Sequence, residues 1–463
     1  MHYRKYFATV SFLVVLLVFS KYISPEKELR LYADDREENF IGNIGFIIWK
    51  SIWDDRQNQF CLKLGKCTRI VVLGYLKFLG KRSKLSISGT ALLFNRSKFI
   101  MRNETIGFRR NARANHENQF TLDPVSIVIE HDAFTEPPSY VSILTGNNTY
   151  ANMVPIERIE NGPSDGNGTA VCLHPIVDVG QHSSTNILRL IELFEYYKFI
   201  GISKIFIYKF YGNRFKLFKS TDAFLNFYSK NGFLNVMIGF QTKDGTFDPN
   251  WNDVNSVKPL HFTYCMLKNI KKFKYILVQD LDEAIAFPLK HKNISDWLNY
   301  LDSQYPNFSS YRFQDTRMEL CDKLHKAPAT CDAYTKNLVL SECSKGQLLS
   351  FNKAFGKSIH KTNEHGCYLV SHHFCKINKK HSDSNPSTKR IPSTEGSIYH
   401  YRSPLITRGK LNRTFSNIEL EDLKKKCRSS MPLTSKKTWI LERLSKKFVK
   451  KLKTIFQEIC EMH

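Results

Sequence analysis

The stretch KYILVQDLDEAIAFP, Lys274 to Pro288, carries an apolar run as far as Gln279 and then sets down Asp280, Asp282 and Glu283. Burying an unpaired carboxylate is strongly unfavourable, so acids at the end of such a run must meet a cation, a proton or solvent. In extended chain, residues two apart share a face, which puts Asp280 and Asp282 on one side. Two carboxylates so aimed repel each other unless a metal or a proton lies between them. Three chemistries fit. A divalent cation held by the pair can bridge a diphosphate and act as a Lewis acid toward a departing nucleotide. The first aspartate can instead be a phosphatase nucleophile. That chemistry expects Thr or Val two residues after the second aspartate, where Ala284 stands, and a motif near the start of its domain. Or the pair can simply cap a helix or turn. The apolar strand ahead of the motif, its α/β setting and the N-terminus described below favour the cation.

The surrounding elements explain why acids would stand there. AVCLHPIVDV from Ala170 has the composition of a strand. STNILRLIELFEYYKFIG follows, with Ile187, Leu190, Ile191, Phe194 and Tyr197 on one helical face; Ser184 or Thr185 can cap its start and Gly201 can end it. KIFIYKF is a strand, KSTDAFLNFYSKNG a helix ended by Gly232, FLNVMIGF a strand. NSVKPLHFTYCMLKNIKK is a helix with Pro259 in its first turns, and KYILVQD is the fourth strand. The order β-α-β-α-β-α-β predicts a mostly parallel sheet with helices on both faces. Ligands of such sheets bind beyond the carboxyl ends of the strands, and the aspartates lie at that end of the fourth. Downstream, SDWLNYLDSQ reads as a helix, and SSYRFQDTRME, GKSIHKT, GCYLVSHHFCKIN and SIYHYRSP as strands. KKHSDSNPSTKRIPSTEGS reads as a polar loop, and residues 421–463 as a basic, helical end. Before this α/β region, residues 40–160 hold short β-branched runs broken by Gly, Asn and Pro, a smaller, mostly β region. ENGPSDGNGTA from Glu160 is a linker by composition.

At the N-terminus, Arg4 and Lys5 precede an apolar stretch. We read residues 1–6 as a cytosolic tail, 7–24 as a signal-anchor helix and 25–39 as a short stem, with a cleaved signal peptide as the alternative. The body then enters the secretory pathway. Asn95, Asn103, Asn147, Asn167, Asn293, Asn307 and Asn412 begin Asn-x-Ser/Thr sequons, which accords with that address. Eleven cysteines without a Cys-x-x-Cys pair read as disulfides, the odd total leaving at least one thiol free or paired to another chain; five crowd between Cys321 and Cys375. With 463 residues, 42% of them hydrophobic, the chain can build a large core. The net charge of +25 is spread over the chain, and no basic motif interleaved with aromatics marks a nucleic-acid fold. We therefore expect no nucleic-acid partner.

Five pieces in order, VCLHPIVD, IELFEYYKFIGISKIFIYKF, KYILVQDLDEAIAFP, FGKSIHKTNEHGCYLVSHHF and IYHYRSP, resemble glycosyltransferase family 92 from about Ala170 to Phe415. The resemblance implies a GT-A-like catalytic domain over residues 170–420. It implies inverting transfer of a hexose, galactose in the first instance, from a UDP-sugar to a glycan on a glycoprotein or glycolipid. It also implies a single-pass type II protein of the Golgi membrane and a need for Mn²⁺. Asp280 and Asp282 would then hold the metal and the nucleotide, with Glu283 in the family's acidic fourth position. Enzymes of this kind commonly add a late histidine to the metal: His400 is the first choice and His372, beside His373, the second. Lys357 and Arg402 could hold diphosphate oxygens. Inversion also needs a carboxylate base for the acceptor hydroxyl. Asp315, at a strand end, is preferred over Glu319, Asp322, Glu342 and Glu364. The helix before the aspartates departs from the family's pattern, with Tyr264 before Cys265 where an aspartate is usual. That departure motivates the alternative, a catalytically inactive luminal member that binds glycans or a partner protein.

Overall fold

The structure is a computed structural model. It describes residues 39–41, 44–56, 68–79, 89–95, 98–104, 120–131, 138–145, 154–159, 168–176, 187–209, 219–239, 251–319, 356–362, 369–370, 375–376 and 388–402, with 450, 454, 455 and 458. The expected tail and anchor, residues 1–6 and 7–24, fall outside these, as does the stem, 25–39, except for Asn39, which opens a strand. Among the described residues no helix is long and apolar enough to cross a membrane.

The first sheet is built from β1 (Asn39–Ile41), β2 (Ile44–Asp54), β3 (Thr68–Leu79), β4 (Gly89–Asn95), β5 (Lys98–Glu104), β6 (Phe120–His131), β7 (Tyr140–Thr145) and β8 (Val154–Arg158). Their order is β5-β4-β7-β8-β2-β3-β6, with β1 on β2. The described parts of the apolar runs at 40–160 lie in these strands.

The second part begins with β9 (Thr169–Leu173), α1 (Ile187–Ile200), β10 (Lys204–Lys209), α2 (Lys219–Lys230), β11 (Leu234–Ile238), α3 (Trp251–Asn269) and β12 (Tyr275–Gln279). It continues through β13 (Glu283–Ala286), α4 (Ile294–Gln304), β14 (Ser310–Glu319), β15 (Gly356–Lys361), β16 (Leu369–Val370), β17 (Cys375–Lys376), β18 (Thr388–Ile391) and β19 (Ser397–Arg402). The sheet order is β11-β10-β9-β12-β15-β14-β19-β13, with β18 on β14 and β16–β17 apart as a small ladder. The four strands of the β-α-β-α-β-α-β run pair in parallel as expected. Beyond β12 the sheet is mixed: β15 is antiparallel to β12 and β14, β19 is parallel to β14, and β13 is antiparallel to β19.

Strict alternation explains the continuous apolar runs. Val171, Leu173, Ile205, Ile207, Tyr275 and Leu277 point into a core covered by α1, α2 and α4. Ala170, Cys172, Phe206, Tyr208, Ile276 and Val278 point into a second core under α3. A strand buried on both faces has no polar positions to alternate with. The second core also takes Ile52, Val71 and Leu73 of the first sheet, so α3 is sandwiched between the two sheets. Residues 38–463 accordingly group as one compact unit. Glu157 of β8 strengthens this junction by accepting from Lys50 of β2 and from Tyr264 and Lys268 of α3. A disulfide joins Cys172 of β9 to Cys265 of α3 across the same core.

Helix α1 ends at Gly201 (φ 92°) and α2 at Gly232 (φ 70°), left-handed positions that glycine adopts without strain. Several local expectations are corrected. Pro259 lies in the middle of α3, because the helix begins at Trp251. GCYLVSHHFCKIN is two short strands with undescribed residues between them, and the polar loop contains β18. The strand β13 has only four residues, too few for periodicity to declare it.

Candidate active site

The chain runs from β9 outward to β10 and β11, then returns past β9 to form β12. The winding therefore reverses between β9 and β12, and the crevice beyond the carboxyl ends of those two strands is the topological switch point. The His174 amide donates to the Gln279 carbonyl at 2.9 Å and closes the two strand ends together. Asp280 is the next residue.

The strand stops at Gln279, and Asp280 to Asp282 form a turn. Period-two geometry does not extend over a turn, so the two aspartates acquire different partners. Asp280 accepts from Lys357 of β15 at 2.6 Å and from Lys258 of α3 at 3.2 Å. Asp282 instead meets His400 Nε2 of β19 at 3.1 Å. Glu283 closes the turn by accepting from the Asp280 amide at 3.1 Å, and its other oxygen lies 3.4 Å from Lys357 Nζ and 3.5 Å from His400 Nδ1.

Register does the rest. In the β13–β19 ladder Glu283 stands opposite His400, and in the β14–β19 ladder Asp315 stands opposite Ile398. His400 lies two residues past Ile398, on the same face, so Asp315 Oδ2 reaches His400 Nδ1 at 3.1 Å. Three acids from two separate stretches of chain thus surround one imidazole.

The electrostatics follow from burial. Glu283 and His400 are 3% and 5% exposed, and Lys258 and Lys357 5% and 3%. Burial pushes the Glu283 carboxyl up to about 7, against the opposing pull of Lys357. Burial alone would lower the His400 pKa; the Asp282 carboxylate, its hydrogen bond, the bond from Asp315 and the charge of Glu283 outweigh it and raise it to about 10. Burial lowers the Lys258 pKa, with Asp280 opposing it. This set of ionised groups holds together because each charge has a counter-charge within a few ångströms.

One oxygen each of Asp282 and Glu283 and one nitrogen of His400 lie within 4.8 Å of one another. Two carboxylates and an imidazole make a mixed O/N donor set of the kind Mn²⁺ accepts. Asp315 Oδ1 is buried and has no hydrogen-bond partner among the described residues, so this corner retains an acceptor that no described donor uses. The residues therefore fit a divalent cation, provided His400 releases its proton to it.

Of the residues singled out in the sequence, Asp282, His400 and Asp315 come together directly. Asp280 and Lys357 form the adjoining ion pair. Arg402 pairs in the ladder opposite Glu319, and both side chains lie outside the described residues, as do His372, His373, Asp322, Glu342 and Glu364. Lys258 escaped sequence reading. The polar residues around it, Asn255, Ser256 and His261, gave no sign that it is buried. Tyr264, the departure from the family's pattern, donates to Glu157 at 2.9 Å and thereby ties α3 to the first sheet.

The glycosyltransferase family 92 model matches residues 167–452, more than half of the chain. The chain belongs to glycosyltransferase family 92. The match spans every strand of the second sheet and hence every residue of the site. No curated protein matches the sequence. Among solved structures, 4-diphosphocytidyl-2C-methyl-D-erythritol synthase from Anaerococcus prevotii is 8% identical, covering 63% of this chain and 100% of its own, with a TM-score of 0.21. Ferredoxin-NADP+ reductase from Plasmodium falciparum with 2'P-AMP is 16% identical, covering 50% of this chain and 85% of its own, with a TM-score of 0.16. Likenesses this slight carry no argument, and the family assignment rests on the sequence match.

Proposed function

We propose that this family 92 glycosyltransferase is a GT-A-type enzyme that transfers a hexose, galactose in the first instance, from a UDP-sugar to a hydroxyl of a glycan, with inversion. The observation that carries this reading is the convergence of Asp282, Glu283 and His400, with Asp315 on the far nitrogen of the histidine, at the switch point of the sheet.

In this reading Asp282, Glu283 and His400 hold a divalent cation, Mn²⁺ by donor type. When bound, it supplies Lewis-acid stabilisation to the departing diphosphate. Asp280 and Asp282 address the nucleotide. Lys357, with Arg402, offers cationic donors to diphosphate oxygens, and Lys258 adds a second ammonium on the α3 side. Asp315 is the base. One oxygen is held by His400, and the other, a buried acceptor that no described donor uses, would take the proton of the acceptor hydroxyl as that hydroxyl oxygen attacks the anomeric carbon and the bond to the diphosphate breaks. The disulfide between Cys172 and Cys265 supports an oxidising compartment. With residues 7–24 as the anchor, we place the catalytic body on the luminal side of a Golgi membrane.

The test uses the purified full-length chain in detergent, a panel of UDP-hexoses, and Mn²⁺ against a chelator. Turnover of one donor in Mn²⁺ only is expected. Asp282→Asn should lower it by at least about 10²-fold, since a metal's charge stabilisation is worth several kcal/mol. Full activity in that variant would overturn the metal assignment. The inactive, glycan- or partner-binding alternative draws on the engagement of Asp280 by two buried lysines, which leaves one aspartate of the motif to the cation. No Mn²⁺-dependent UDP binding by calorimetry would select it.

A further inference from the structure

Among the residues whose exposure is described, the sequon asparagines Asn293 and Asn307 are exposed, and they flank the same helix. Asn293 is the N-cap of α4: its Oδ1 accepts from the Asp296 amide at 2.8 Å. The cap uses the carbonyl oxygen and makes no demand on Nδ2, the atom that carries an N-linked sugar. Asn307 lies in the turn between α4 and β14, where the neighbouring Pro306 carbonyl accepts from Lys361 Nζ at 3.4 Å. The two asparagines bracket an 11-residue helix, so they stand about 16 Å apart or slightly more.

Both lie at the same end of the sheet. Asn293 Cβ packs 3.5 Å from where a side chain on Gly201 would begin, in the turn that leads into the first residue of β10. Two residues on, the Ser203 amide bonds to Thr169, the first residue of β9. On the other flank, the Lys361 amide bonds to the Ser309 carbonyl, and Lys361 stands opposite Tyr275, the first residue of β12. Asn293 and Asn307 therefore mark the amino end of the parallel strands. The carboxylate–histidine site lies beyond the carboxyl end of β12, a full strand length away.

We propose that Asn293 and Asn307 each carry an N-linked glycan, which places both sugars at the amino end of the sheet, opposite the candidate catalytic end. The inference rests on the luminal placement proposed above. In the modification, Nδ2 of each asparagine forms a bond to the anomeric carbon of an oligosaccharide carried on a polyprenyl diphosphate. The carbon–oxygen bond to that diphosphate breaks, the polyprenyl diphosphate leaves, and the amide loses one proton. The sugar donor and its transferase are those of the host secretory membrane.

The full chain is expressed in cultured animal cells. Intact microsomes are treated with protease, and the protein is digested with peptide N-glycosidase in heavy-oxygen water for peptide mass spectrometry. Protease protection with labelled Asn-to-Asp conversion at both positions is the expected result. Ser295→Ala, which removes one sequon but keeps the Asn293 cap, and Asn307→Gln should each remove one step of gel mobility and leave UDP-hexose turnover within twofold. A protected chain with both asparagines unconverted overturns this inference and leaves the luminal placement standing. A chain cut by protease outside the microsomes overturns both. Loss of turnover in either variant at unchanged thermal stability overturns the separation of the glycan end from the catalytic end.

Discussion

At the scale of single residues, the site depends on one histidine held between acids. As an imidazolium, His400 can donate to Asp282 and Asp315 together; to bind a metal it must be neutral. With its pKa raised to about 10, Mn²⁺ binding near pH 8 should therefore displace close to one proton. Calorimetry in buffers of different ionisation enthalpy would read this directly, and binding with no proton released would remove His400 from the ligand set. Below about pH 7 the Glu283 carboxyl adds a second proton to displace, so affinity should fall more steeply there. His360 behaves in the opposite sense. It lies inside β15, 1% exposed, and burial pushes it down to about 4. The folded state then refuses a proton that the unfolded chain accepts below its ordinary value of about 6.5. Stability from this group is complete above about pH 6.5 and is lost as pH falls toward 4, at up to about 1.4 kcal/mol per pH unit. Urea titrations at pH 7 and pH 5 should show the loss, and His360→Leu should flatten it.

At the scale of elements, β15 and α3 position the charged groups. Gly356 opens β15 beside Lys357, and a methyl group there would run into the Phe313 carbonyl oxygen of β14. Since a backbone atom cannot swing aside, Gly356→Ala should shift β15 against β14, cost about 1–3 kcal/mol and disturb the ion pair of Lys357 with Asp280. Unchanged stability and activity would contradict that packing. The disulfide between Cys172 and Cys265 closes a loop of 93 residues between β9 and α3, and removing such a link typically costs 2–5 kcal/mol. The Cys172→Ala, Cys265→Ala double variant should show that drop in chemical denaturation while keeping native helix content. A double variant as stable as the parent under oxidising conditions would show that the bond does not form.

At the scale of the whole molecule, the first sheet and the α/β layer share a core. Leu260, Phe262, Leu267 and Met266 of α3 pack in one cluster with Ile52, Val71 and Leu73 of the first sheet. Cutting the chain at residue 168 would expose that face of α3 and a patch large enough to drive association. The fragment 168–463 should aggregate on size exclusion, although it contains nearly all of the family match. A monodisperse fragment that unfolds cooperatively would show that the first sheet is dispensable for folding.

The amino-acid sequence by itself determined the strands and helices of the α/β region, because a strand buried on both faces and a helix with an apolar stripe each write their period locally. It also determined the acidic motif at a strand end and, through Gly201 and Gly232, where two helices stop. The tertiary structure decided which acid serves which partner. Asp280 and Asp282 part company because β12 ends at Gln279, immediately before Asp280, and His400 meets Glu283 and Asp315 only through the registers of β19 with β13 and β14. It also decided the burial of Lys258 and the pairing of Cys172 with Cys265. Such pairings join residues about 20 to 120 positions apart, and each is fixed by the summed packing of whole elements rather than by any pattern within one of them.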